Sequence, residues 1–123
     1  MEAINIEATS DTPKIVLDAS SGIFEIEQRC FPEDAKKFFN PIIEWIENYA
    51  LSPNPGTNFN FKLEYYNTSS SKQLFKIFLI LEELSKKKEV LVSWHYSNND
   101  QDMLSSGERY SQMFELKFNL VEF

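Results

Sequence analysis

The chain has 123 residues and a formal net charge of −7 at pH 7, with 19 acidic against 12 basic residues. A chain of this length builds one hydrophobic core, so we expect a single domain over residues 1–123. The acidic balance has the wrong sign for neutralising the phosphates of a nucleic acid or an anionic membrane surface, and we expect neither as a partner.

The residue types that form disulfides and zinc sites are nearly absent. Cys30 is the single cysteine and His95 the single histidine, which leaves no internal disulfide and no Cys/His set for zinc. The N-terminus lacks the basic start and apolar run of a signal peptide, and no segment reaches the roughly 18 apolar residues of a membrane span. We therefore expect a cytoplasmic protein without a cofactor.

The N-terminal part of the chain alternates in the manner of strands. Polar and apolar residues alternate over 4–8, the run KIVLD at 14–18 reads as a strand, and a turn at 19–22 leads into an alternating run at 23–27. This pattern predicts a short edge strand followed by a β-hairpin.

Apolar residues then recur every three or four positions from Pro32 to Tyr49, which predicts an amphipathic helix. Pro41 lies inside this pattern. A proline in a helix interior costs about 3 kcal/mol, so either the helix kinks there or Asn40 caps a second helical segment. The sequence SPNPG at 52–56 predicts a loop that ends the helix.

The second half of the chain alternates strands with helices. Strands are predicted at 59–66, 89–96 and 114–120, with a buried helix at about 70–84 and a short helix after the acidic loop 98–102. Strand, helix and strand in this order form a βαβ unit with parallel strands. The predicted fold class is therefore α/β, with an N-terminal hairpin and a βαβ unit in one mixed sheet and helices packed on it.

The most informative segment is the run of four hydroxyl residues at 68–71, between a predicted strand and a predicted helix. One hydroxyl can cap the helix, and Ser70 to Gln73 has the spacing of a capping box, whereas Asn67 can fix the turn through its own side chain. A phosphate attached here would be stabilised by free backbone N–H groups and the helix dipole. The residues alone leave both readings open: a helix start rich in caps, and a phosphorylation switch.

No catalytic or metal-binding pattern competes with this segment. Asn98, Asp100 and Asp102 imitate the start of a calcium loop, but Met103 and Arg109 stand where that loop needs Gly and Glu. We interpret Asp100 as a helix cap. His95 is expected to be a satisfied or exposed sheet histidine, and Cys30 an inert thiol.

Several segments resemble, in order along the chain, the pattern of one protein family. They are TPKI at 12–15, PEDA at 32–35, PIIEW at 41–45, YNTSSSK at 66–72 and VSW at 92–94. In these segments the chain resembles the SiaC family of bacterial regulatory phosphoproteins, which are related in fold to the STAS anti-sigma-factor antagonists. The resemblance covers essentially the whole chain.

This resemblance implies a STAS-like domain that is not an enzyme and is switched by phosphorylation. The phosphorylated threonine matches Thr68, with Ser69 as the alternative acceptor. A dedicated Ser/Thr kinase would add the phosphate, and a PP2C-type phosphatase would remove it. The unphosphorylated form would bind a diguanylate cyclase, in cyclic-di-GMP signalling, and phosphorylation would release it. The expected partner surface consists of Tyr66, Asn67, Thr68, Ser69, Ser70 and Lys72.

Two alternative functions remain open from the sequence. An anti-sigma-factor antagonist in sigma-factor control would share the switch and differ only in its partner. A small anion- or nucleotide-binding domain would instead use the N-terminus of the helix after Thr68 as its pocket.

Overall fold

Nine elements follow one another in a computed structural model that describes residues 1–123. They are β1 (Ile4–Ile6), β2 (Lys14–Asp18), β3 (Ile23–Cys30), α1 (Ala35–Leu51), β4 (Gly56–Tyr66), α2 (Thr68–Ser85), β5 (Glu89–Tyr96), α3 (Gln101–Met113) and β6 (Lys117–Glu122). The strands form one sheet in the order β1-β2-β3-β4-β5-β6. The first three strands pair antiparallel, and β3 to β6 pair in parallel. The predicted α/β class, with its hairpin and βαβ unit, is confirmed.

The three helices connect the four parallel strands, and each connection moves one strand further in the same direction. Because crossovers between parallel strands are right-handed in nearly all proteins, connections that all move in the same direction are expected to place the helices on one face of the sheet. That face carries the buried residues of the alternating strands, among them Ile26, Phe61 and Trp94. No helix is both long enough and apolar enough to cross a membrane.

The opposite face of the sheet is lined by polar side chains that bond across the strands. Ser93 on β5 donates a hydrogen bond to Oδ1 of Asn58 on β4 at 2.9 Å. His95 Nε2 lies 3.1 Å from Oδ1 of Asn60, which confirms it as a satisfied sheet histidine. Burial lowers the pKa of His95, and the nearby charge of Lys62 lowers it further.

α1 is one helix of 17 residues, with Pro41 on its exposed side. The alternative in which Asn40 caps a second segment is therefore wrong. The cap is Asp34, whose Oδ1 accepts a hydrogen bond from the backbone N–H of Lys37 at 3.1 Å. Because the helix buries an apolar stripe against the sheet and α2, packing outweighs the hydrogen bond that the proline removes.

The centre of the core is aromatic and lies where β4, β5, α2 and α3 meet. The Trp94 ring is 5.7 Å from that of Phe61, 5.5 Å from Tyr110 and 6.4 Å from Phe78 between centroids. Its indole N–H donates a hydrogen bond to the backbone carbonyl of Met103 at 2.9 Å. α3 approaches this cluster through Gly107, where an added Cβ would meet the indole and come within 2.8 Å of Leu120.

Candidate functional site

The candidate site lies at the carboxyl ends of β3 and β4, where α2 begins. The backbone N–H of Asn67 donates to the carbonyl of Cys30 at 3.2 Å, which ties the start of α2 to the end of β3. Asn67 is also the N-cap, because its Oδ1 accepts a hydrogen bond from the backbone N–H of Ser70 at 3.0 Å. The expectation that Asn67 fixes this turn is confirmed. A hydroxyl cap and a capping box from Ser70 to Gln73 are wrong, since Ser70 is already the third helical residue.

The four consecutive hydroxyls have four different environments. Ser69 Oγ donates to Asn67 Oδ1 at 3.3 Å, and Ser71 Oγ donates to the backbone carbonyl of Thr68 at 2.6 Å. Ser70 is fully buried. Thr68 is exposed, and its hydroxyl forms no hydrogen bond within the chain. Thr68 therefore presents a hydroxyl that is both accessible and unbonded.

Two polar groups are buried without hydrogen-bond partners, and both belong to the start of α2. They are Oγ of Ser70 and Oε1 of Gln73. Ser70 lies beside Cys30, whose thiol is only a weak hydrogen-bonding group. Burial raises the pKa of the Cys30 thiol to about 11, while the Ser70 hydroxyl lowers it by less. The thiol is thus protonated at neutral pH, as expected for an inert cysteine.

The other residues predicted for the partner surface differ in how far they are exposed to solvent. Lys72 is exposed beside Thr68 and Ser69, and Asn67 is half-buried. Tyr66 is half-buried with its ring edge-on to that of Trp94, at 6.2 Å between centroids. Ser70 lies beneath the surface, where a partner does not reach it. The predicted segment therefore contains both exposed and packed residues, which the sequence pattern does not separate.

One exposed aromatic residue beside the site was missed by the sequence analysis. Tyr65 is 48% exposed, and its ring packs edge-on against Phe31 at 5.6 Å between centroids. Strand alternation predicts Tyr65 to face the core with Leu63. The pairing of β3 with β4 shifts by one residue between Gln28 and Arg29, and Gln28 has a φ of 77°. This irregularity has no clear signal in the sequence.

α2 begins between two surface grooves. One lies between α1 and α2, measures about 630 Å³ and combines acids with lysines: Glu33, Asp34, Lys36, Lys37, Ser69 and Lys72 line it together with Ala35 and Gln73. The other lies between α2 and α3. Lys72 lines both grooves, so the helix turn that carries Thr68 separates them.

The remaining candidate residues have structural roles. Asp100 caps α3, because its Oδ1 accepts a hydrogen bond from the backbone N–H of Met103 at 3.0 Å; the predicted cap is confirmed. No group of three or more His, Cys, Asp or Glu side chains converges in a way that could hold a metal ion.

Comparison with known proteins shows similarity along nearly the whole chain. The family described as "SiaC family regulatory phosphoprotein" matches residues 6–123. An uncharacterized protein of Pseudomonas aeruginosa (strain UCBPP-PA14) is 26% identical over 113 residues, which make up 91% of this chain and 90% of the relative.

Solved structures from the same organism share the fold. SiaC of P. aeruginosa is similar with a TM-score of 0.90 at 25% identity, with 100% of both chains covered. A crystal structure of the diguanylate cyclase SiaD in complex with its activator SiaC contains a chain with a TM-score of 0.92 at 25% identity, covering 98% of this chain and 99% of that one. The similarity thus extends over the entire sheet and all three helices.

Proposed function

Because the chain belongs to the SiaC family of regulatory phosphoproteins, we propose that it is a non-catalytic protein that binds and activates a diguanylate cyclase and is released when Thr68 is phosphorylated. A relative of the same fold occurs in a complex with a cyclase as its activator, which supports this class of partner. The cyclase of this chain would then control cyclic-di-GMP.

The observation that carries the assignment to Thr68 is its free hydroxyl. Of the four hydroxyl residues at the start of α2, Thr68 is the one that is exposed and makes no hydrogen bond in the chain. Ser69, the alternative acceptor, already donates to the cap residue Asn67. Phosphorylation of Ser69 would remove that bond, whereas phosphorylation of Thr68 disturbs none.

A phosphate on Thr68 fits the local electrostatics of the folded protein. Thr68 is the first residue of α2, and the N–H groups of a first helical turn have no acceptors within the helix. Together with the helix dipole they favour a negative charge. Lys72 lies four residues later, one turn along the same side of the helix. The modified protein would therefore keep its fold, and the phosphate would act on the partner.

Release follows from charge and size. A phosphothreonine adds about −1.5 to −2 charges and three acceptor oxygens to a surface that the partner must cover and dehydrate. An acidic partner surface would be repelled, and any group packed on the threonine methyl would be displaced. As the family resemblance implies, a separate Ser/Thr kinase would add the phosphate and a PP2C-type phosphatase would remove it.

Cyclase assays with purified proteins test the proposal. Each diguanylate cyclase of the source organism is assayed for cyclic-di-GMP synthesis alone, with wild-type protein, and with Thr68→Glu, Thr68→Gln and Thr68→Ala. We expect one cyclase to be activated by wild type and Thr68→Ala. Thr68→Glu should weaken binding at least about tenfold, and the neutral Thr68→Gln much less.

Phosphopeptide mass spectrometry of the protein from its host provides the complementary measurement. We expect phosphate on Thr68, and Ser69→Ala should leave its stoichiometry unchanged. A protein phosphorylated only at other residues, or one that activates no cyclase of its host, would contradict the proposal.

A further inference from the structure

A second groove adjoins the site, between α2 and α3, and measures about 380 Å³. We name it the α2–α3 groove. Its lining residues come from two turns of each helix: Ser71, Lys72, Phe75, Lys76, Arg109, Tyr110 and Met113.

The floor of the α2–α3 groove is apolar and open to solvent. Phe75 is 37% exposed and Met113 is 51% exposed. The Phe75 ring is held edge-on against Phe114 at 5.0 Å between centroids, and Tyr110 beneath it is buried. Neighbouring apolar side chains that remain exposed on a rigid floor are typical of a protein contact surface.

The rim of this groove carries only positive charges. Lys72, Lys76 and Arg109 line it, none of them forms a salt bridge within the chain, and no Asp or Glu lines the groove. This is unusual for a protein in which acids outnumber bases by 19 to 12. The groove between α1 and α2 differs in this respect, because Glu33 and Asp34 lie among its lysines.

We propose that the α2–α3 groove binds an acidic amphipathic helix of the partner protein, with apolar residues on the Phe75–Met113 floor and carboxylates against Lys72, Lys76 and Arg109. This assignment rests on the proposed function and names the part of the partner that phosphorylation would act on. Charge complementarity selects an acidic segment, and a groove between two helices fits the apolar stripe of a third.

The position of the groove connects it to the phosphorylation site. Ser71 and Lys72 line the groove, and Thr68 lies one helical turn before Lys72. A phosphate on Thr68 would attract Lys72 and place about two negative charges at the end of the groove. Both effects oppose the binding of an acidic helix in the groove. The groove thus explains how a modification outside it can release its occupant.

Charge reversal tests the groove in the complex with the activated cyclase. Affinity is measured for wild type, for the double variant Lys76→Glu/Arg109→Glu, and for Lys88→Glu, an exposed lysine near the other end of α2. The double variant should bind at least about tenfold more weakly and lose most of the salt dependence shown by wild type. Lys88→Glu should stay within about twofold. Equal affinity of the double variant and wild type would overturn the assignment.

A synthetic probe separates failure of the groove from failure of the proposed function. An 18-residue peptide designed as a helix with one face of Leu and the other of Glu is titrated into the full chain, and amide chemical shifts are followed by NMR. We expect shifts at Phe75, Arg109 and Met113, and none for the peptide with Lys in place of Glu. Absence of these shifts would overturn the assignment of the groove as a helix-binding site, even if a cyclase is activated. Self-association through Arg109, detected by sedimentation, would instead identify a second copy of this chain as the occupant of the groove. That result would also overturn the assignment of a partner helix.

Discussion

The aromatic core around Trp94 and the first two turns of α2 are in contact, but they differ in whether their buried polar groups form hydrogen bonds. The polar group of Trp94, its indole N–H, donates a hydrogen bond to a carbonyl at 2.9 Å. The start of α2 holds the two buried polar atoms without partners, on Ser70 and Gln73. Buried polar groups without hydrogen bonds are rare and costly, and they concentrate where function rather than folding selects the residue.

Under the proposed function, stability and switching would be located in separate regions. The core provides packing that does not depend on the state of Thr68. The start of α2 would need only a correct cap and, if Thr68 is the acceptor as proposed, a surface that accepts a phosphate. Perturbing each region separately tests this division.

The largest effect is expected in the core, at Gly107. A Cβ at this position would come within 2.8 Å of Leu120 and press on the Trp94 indole, so Gly107→Ala overpacks the contact between α3 and β5. We expect a loss of about 1–3 kcal/mol in the free energy of unfolding, measured by urea denaturation. Ser105→Ala, at an exposed position of the same helix, is the control and should be within about 0.5 kcal/mol of wild type. A stabilised Gly107→Ala would mean that α3 packs more loosely than described here.

A smaller effect is expected at the cap of α2. Asn67→Ala removes the bond to the N–H of Ser70 and should cost about 1 kcal/mol of unfolding free energy. Asn67→Asp keeps the acceptor and should retain most of the stability. If Asn67→Ala cost as much as Gly107→Ala, the start of α2 would belong to the folding core and the division would fail.

Ser70→Ala should have almost no cost, although the residue is fully buried. The substitution removes a hydroxyl that has no nitrogen or oxygen partner and lies beside the weakly hydrogen-bonding thiol of Cys30, so we expect unchanged stability or a gain of up to about 1 kcal/mol. Ser93→Ala is the matched control, because its hydroxyl donates to Asn58 at 2.9 Å and its loss should destabilise by about 1 kcal/mol. Equal losses from the two variants would show that Ser70 has a partner in solution.

The smallest effect concerns pH and arises on the open face of the sheet. The pKa of His95 is lowered in the folded protein, so between the two pKa values the unfolded chain binds more protons. The contribution of His95 to the free energy of unfolding is fully present above the ordinary histidine pKa of about 6.5, and it is lost progressively as the pH falls below that value. Unfolding free energies between about pH 7.5 and pH 5.5 should fall for wild type and fall less for His95→Gln. Identical slopes would exclude His95 as the source and require another group to titrate there.

Much of the fold was predictable because it depends on local patterns. Period-two alternation located β3 and β4, three- and four-residue spacing located α1 and α2, and the cap Asp100 was identified from its place before α3. Predictions about where helices and strands end, and about what interrupts a helix, were less successful. Pro41 did not divide α1, because burial of the helix stripe compensates for one missing hydrogen bond.

The sequence by itself determined the class of fold, the segment that carries the hydroxyls and the residue types available there. The resemblance in sequence already predicted Thr68 as the acceptor, with Ser69 as the alternative. Only the tertiary structure showed that the four hydroxyls differ in exposure and hydrogen bonding, because both depend on what packs against each side chain. The shift between β3 and β4 that exposes Tyr65, and the meeting of α2 and α3 that groups Lys72, Lys76 and Arg109, involve residues far apart in the chain. Local periodicity reports on the neighbours of a residue along the chain, whereas a binding surface is built by its neighbours in space.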